Sequence, residues 1–113
     1  MENEKIELLK DSENYFNKLI LETQNIGNLI QKGNEIEALK AIPFLTEGID
    51  YICNVIYLTR DIHCKEISTD ELNSKIKDII DAIENEDMVL VGDLFNYELL
   101  PLLNSIKEKV YSV

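Results

Sequence analysis

Apolar residues recur at helical spacing along nearly the whole of this 113-residue chain, and no other feature constrains its fold as much. A half-buried strand repeats its apolar face every second position, whereas a helix returns to the same face after three or four. Over residues 4–31, Leu8, Leu9, Tyr15, Phe16, Leu19, Ile20, Ile26, Leu29 and Ile30 form one broad stripe. Gly33 suits a left-handed helix end, and Asn34 suits the cap of the next helix. Residues 35–63 carry two stripes side by side. One is Ala38, Ile42, Leu45, Ile49, Ile52, Ile56, Thr59 and His63; the other is Phe44, Tyr51, Val55, Leu58 and Ile62. Such a helix touches neighbours over a wide arc, so it is expected to be the most buried element. Pro43 lies inside it and predicts a kink, or a break near Ala41.

Ser68 and Glu71 have the spacing of a capping box ahead of residues 69–84, where Leu72, Ile76, Ile79, Ile80 and Ile83 make a narrow stripe. That helix should lie outermost. Asp87 can cap a last segment, 88–111, which carries Met88, Val91, Phe95, Leu99, Leu102, Ile106 and Val110, with Leu94, Leu100 and Leu103 alongside. Short links make consecutive helices antiparallel neighbours. The expected fold is therefore all-α: one domain over 1–113, an up-and-down antiparallel bundle of four helices (about 4–31, 35–63, 69–84 and 88–111), the third short. The alternative is a three-helix core with the third segment as a flanking arm.

Charge narrows the function. The net charge is -11, and from Asp78 to Glu98 there are seven acids and no base. Nucleic-acid binding needs clustered Lys and Arg against phosphates, so nucleic acid and anionic membranes are poor partners and a basic protein is a better one. No apolar run reaches the ~20 residues of a membrane span. The acidic start MENEKIELL lacks the pattern of a signal peptide, which points to the cytoplasm. Cys53 and Cys64 would then be reduced thiols, and their spacing matches neither a redox nor a zinc motif.

Two residues interrupt the last helix. Glu98 falls on the same face as Val91, Phe95 and Leu102, so it should be buried and held by Arg60, His63 or a tyrosine, or else poised for proton transfer. Pro101 removes a helical hydrogen bond and should bend the helix beside Tyr97 and Glu98. Gly48 and Gly92 mark close helix crossings. The sole histidine, His63, has Arg60 and not glutamate three residues before it, so the E-x-x-H pairs of a di-iron bundle are missing. A nucleophilic His63–Cys64 dyad would lack an orienting group, and no phosphate-binding glycine motif occurs. No catalytic, metal or cofactor residues are assigned.

The stretch EDMVLVGDLFNYELLPLL resembles a pattern, D-x-V-L-x-x-D-L-x-x-Y-E-L-x-P, of small uncharacterised helical proteins from low-GC Gram-positive bacteria. TEGIDYI resembles the same group's E-G-I-x-W/Y-x segment. The resemblance spans most of residues 36–108, implies a helical fold without an assigned activity, and places weight on Glu47, Gly48, Asp93, Tyr97, Glu98 and Pro101.

Taken together, the sequence points to a non-enzymatic interaction module, an adaptor or chaperone, with a protein partner; a homodimer is one way to cover an apolar patch. The alternative is a small-molecule pocket near Tyr97 and Glu98, with Tyr51 and Arg60. A third reading has Glu47, Asp50, Asp93 and Glu98 converging on a metal. The contact candidates are Glu47, Tyr51, Arg60, Asp93, Tyr97 and Glu98.

Overall fold

The computed structural model describes residues 2–63 and 66–112, and the helical period becomes four rods with no strand among the described residues. Three are single helices: α1 (Glu2–Gln31), α2 (Glu35–Leu58) and α3 (Asp70–Glu84). The fourth is continuous but changes pitch. It runs through α4 (Met88–Asp93), a π-helical turn (Leu94–Leu99) and α5 (Leu100–Val110). The rods form an up-and-down bundle. Lys5 pairs with Asp61 at 2.6 Å and the Tyr15 ring meets the Tyr51 ring at 5.1 Å, so α1 and α2 are antiparallel. Ser12 and Phe16 meet Tyr111 while Ile30 meets Gly92, so α1 and the last rod are antiparallel too.

Helix ends explain the sharp reversals. Gly33 has φ +83°, Asn34 N–H donates to the Leu29 carbonyl at 2.8 Å, and Gly33 N–H donates to Ile30. This is a complete Schellman closure. The α3 end repeats it with Glu86 at φ +57°, Asp87 N–H donating to Ala82 and Glu86 N–H to Ile83. Asp87 then caps α4, accepting from Leu90 N–H at 3.1 Å. Asn34 makes no side-chain cap. Ser68 accepts from Asp70 N–H at 3.2 Å, one residue before the helix starts behind Thr69.

Several expectations change. α2 stops at Leu58, and residues 59–62 form turns. Thr59 is the C-cap, with φ -107°, and its N–H and hydroxyl both donate to the Val55 carbonyl. Pro43 neither breaks nor splits α2. It is exposed, so the Leu39 carbonyl that loses a donor sits on the solvent side. α2 is not the central element. α1 is, packing against α2, α4, the π turn and α5. α3 packs on α4 and the π turn.

The π turn has an arithmetic cause. The main buried stripe of the last rod is Val91, Phe95, Leu99, Leu103, Ile106 and Val110, three steps of four before a step of three, with Gly92 and Leu94 buried beside it. Each step of four overshoots a 3.6-residue turn by about 40°. A run of three would carry the stripe off the core unless the helix widened. The π turn widens it, with Leu100 N–H reaching back five residues to the Phe95 carbonyl. It sits directly before Pro101, which has no N–H to give to the Tyr97 carbonyl.

The same turn drives the Asn96 side chain against α1 at Gly27, where a Cβ would collide with the Asn96 amide. Asn96 Nδ2 is buried there without a partner, at a cost of about 1–3 kcal/mol. Gly48 is likewise closed in by Leu19 and the Tyr15 hydroxyl, and a Cβ on Gly92 would lie 3.0 Å from Ile30 Cγ2.

Glu86→Gly should raise stability by about 1 kcal/mol, read as a higher thermal midpoint, because glycine removes left-handed strain. Gly27→Ala should lower stability by about 1–3 kcal/mol in denaturant titrations despite its better helix propensity. Adding Asn96→Ala to that variant should recover most of the loss.

Candidate interaction surface

The six contact candidates do not form one site. Glu98 is not buried: its side chain is 43% exposed and pairs with Lys75 on α3 at 2.6 Å. The extra residue accommodated by the π turn rotates position 98 off the face shared with Val91 and Phe95. Glu98 holds the Lys75 ammonium protonated to higher pH than usual. Arg60 does not reach Glu98. Its guanidinium lies 4.2 Å from the Tyr57 ring centroid and donates to the Tyr57 carbonyl at 2.7 Å. Tyr97 is 70% exposed, Asp93 and Glu47 are exposed, and Tyr51 is half-exposed beside Tyr15. The clefts at the α2 end, beside Asp87, beside Tyr111 and beside Gly92 are lined by residues other than Tyr97 and Glu98. Among the described residues no three His, Cys, Asp or Glu side chains converge as a metal site would require, and Glu47, Asp50, Asp93 and Glu98 stay apart.

A cleft of about 410 Å³ opens instead where α2 ends, lined by Cys53, Ile56, Tyr57, Arg60, His63, Glu66, Ile67 and Thr69. Burial pushes the Cys53 thiol up, Asp50 adds to this, and a hydrogen bond with Thr69 opposes it. That thiol therefore stays protonated and is a weak nucleophile at neutral pH. The suggested His63–Cys64 dyad involves a residue outside those described. Thr59 Oγ1 and His63 Nε2 share a hydrogen bond at 2.8 Å whose direction depends on the histidine tautomer. His63 Nδ1 is buried without a hydrogen-bond partner. Burial lowers the His63 pKa, with the Val110 backbone and Asp61 pulling the other way.

A different surface carries more weight. Phe44, Tyr51 and Leu58 repeat every seven residues along α2, the spacing of a packed helical seam. Their period promised burial, yet only Val55 of that seam is buried: Phe44 is 74% exposed, Tyr51 40% and Leu58 54%. The contacts Lys5–Asp61 and Tyr15–Tyr51 set the antiparallel register, which puts Leu8 level with Leu58 and Glu22 level with Phe44. The exposed apolar strip Phe44, Tyr51 and Leu58 thus runs along the furrow where α1 and α2 meet, level with Leu8 and Tyr15 of α1. Gly48 lets the two helices approach closely at its floor. Sequence periodicity found this strip and assigned it to the core. The Gly27–Asn96 contact had no comparable signal, since one buried asparagine follows no period.

The chain belongs to a family of helical domains defined by common descent and not by a known reaction. Its model, described as Domain of unknown function (DUF8042), matches residues 7–109. No curated protein and no solved structure matches the chain.

The neutral form of His63 is favoured in the fold, so the unfolded chain takes up a proton more readily there. Stability should therefore decline as pH falls through and below the ordinary histidine value, ~6.5. Thermal melts between pH 8 and 5 should show this decline, and His63→Gln should flatten that part of the curve.

Proposed function

We propose that this chain is a protein-interaction module of adaptor or chaperone type, acting in the cytoplasm without catalysing a reaction. Its partner is another protein, with basic character, and not nucleic acid or membrane. Within its family we place it in the low-GC Gram-positive group that the D-L-x-x-Y-E-L-x-P stretch resembles. One observation carries the reading: a seam with the spacing of a helical core, Phe44–Tyr51–Leu58, lies unburied on a chain of net charge -11. Contiguous apolar surface of this kind is costly in water and marks sites where a partner binds. The acidic surroundings disfavour phosphate-bearing partners and suit a basic one. The free Cys53 thiol fits a reducing compartment. No helix is long and apolar enough to cross a membrane among the described residues.

The test uses two baits, the wild-type chain and Leu58→Asp, in extracts of the native cell, followed by mass spectrometry and reconstitution from pure components. Leu58 is exposed, so the substitution should change stability by no more than about 0.5 kcal/mol. The expected result is a protein held by the wild type, weakened about tenfold or more by Leu58→Asp, that forms a stoichiometric complex when purified. Recovery of the same proteins by both baits, with none forming a complex, would overturn the reading.

A further inference from the structure

The geometry points to one occupant for the α1–α2 groove: an amphipathic helix with basic flanks, supplied by another protein. This inference rests on the interaction reading and names its surface and ligand. From Phe44 to Leu58 the strip covers fifteen residues of α2, about 21 Å of helix axis, which is the length of roughly four helical turns. The ridges repeat every seven residues, so a partner helix with apolar residues at i, i+3 or i+4, and i+7 would place its side chains in the gaps between Phe44, Tyr51 and Leu58. The Tyr15–Tyr51 edge-to-face pair spans the middle of the groove, with the Tyr15 hydroxyl set against Gly48 at its floor.

Charge selects among helices. By register and helical position the groove is bordered by Asp11 and Glu22 on α1 and by Glu37 and Glu47 on α2, against Lys18 and Lys40. Glu22 is half-buried beside the strip and the other three acids are exposed. A second copy of the chain would bring the same acidic border, and a charge of -11, against this one. A helix with Lys or Arg on both flanks of its apolar face meets the border with opposite charge. Such complementarity speeds encounter and rejects acidic competitors. The acids form only the rim; the apolar strip is what requires a cover.

The direct probe is a labelled 18-residue helical peptide with leucines at i, i+3, i+7 and i+10 and lysines beside them, titrated into the full-length chain by fluorescence anisotropy. Two control peptides replace the lysines with glutamates, or insert a central proline. The expected outcome is saturable one-to-one binding of the basic peptide. Phe44→Asp or Leu58→Asp should weaken it about tenfold or more, and Glu22→Lys with Glu47→Lys should weaken it several-fold. Raising the salt from 50 to 300 mM should also weaken it several-fold, since rim charges are screened over a Debye length of ~10 Å or less. Circular dichroism of each variant confirms that the fold is retained.

Equal binding of the acidic peptide would sink the charge argument. Full binding by both Asp variants would place the peptide elsewhere and sink the groove. Sedimentation equilibrium showing a wild-type dimer that Leu58→Asp abolishes would assign the strip to a second copy, overturning the proposal. If the native partner depends on Leu58 while the basic peptide never binds, the interaction reading stands and the basic helix falls. If neither experiment responds to Leu58→Asp, both fall.

Discussion

The phase of the last rod governs the rest of the structure, and the π turn at Leu94–Leu99 sets that phase. Without the wider turn, Leu103, Ile106 and Val110 would wind away from α1. With it, Val91 through Val110 keep one buried face, and Tyr111 is carried to Ser12 and Phe16. The same rotation turns Glu98 outward to Lys75 and turns Asn96 inward to Gly27. A charge is thereby moved from a costly position to a screened one. A neutral amide takes the inner position at the expense of an unmet hydrogen bond.

A central α1 follows from this arrangement. α1 packs against α2 and along the whole last rod, while α3 packs on α4 and the π turn. α2 therefore has α1 as its main neighbour. Its core-like seam Phe44–Tyr51–Leu58 is left half in the groove and half in water. Surface exposure there is a consequence of how four rods share one middle, and α2 itself is as regular a helix as the others. The glycines reinforce the layout: Gly27, Gly48 and Gly92 are each closed in by a side chain of a neighbouring rod, so backbones approach where a methyl group would hold them apart.

Much of the architecture was legible in the chain because it depends on local physics. Apolar period fixed the type and order of the helices, and the Gly33 closure and Asp87 cap fall where turn chemistry placed them. Gly48 and Gly92 mark close crossings, as helix-interior glycines between packed rods should. Misreadings arose where two local rules competed. Thr59 continued an apolar stripe but stands as the C-cap, where the backbone leaves the helix. Pro43 broke a propensity rule on a face where water satisfies the freed carbonyl. An unbroken α-helix requires Leu102 in the seam and Leu103 beside it, whereas Leu103 is the buried one, and the same unbroken phase would put Glu98 indoors.

By itself, then, the sequence determined how many rods form, roughly where they end, and that a strongly acidic surface surrounds an aliphatic core. These follow from periodicity, capping and composition, each of which acts within a few residues. Tertiary structure alone decided which rod stands in the middle, which of the two α2 seams is buried, and which way Glu98 points. Those outcomes depend on rotation of whole rods about their axes. Packing between distant residues sets that rotation, and one residue accommodated in a wide turn is enough to change it.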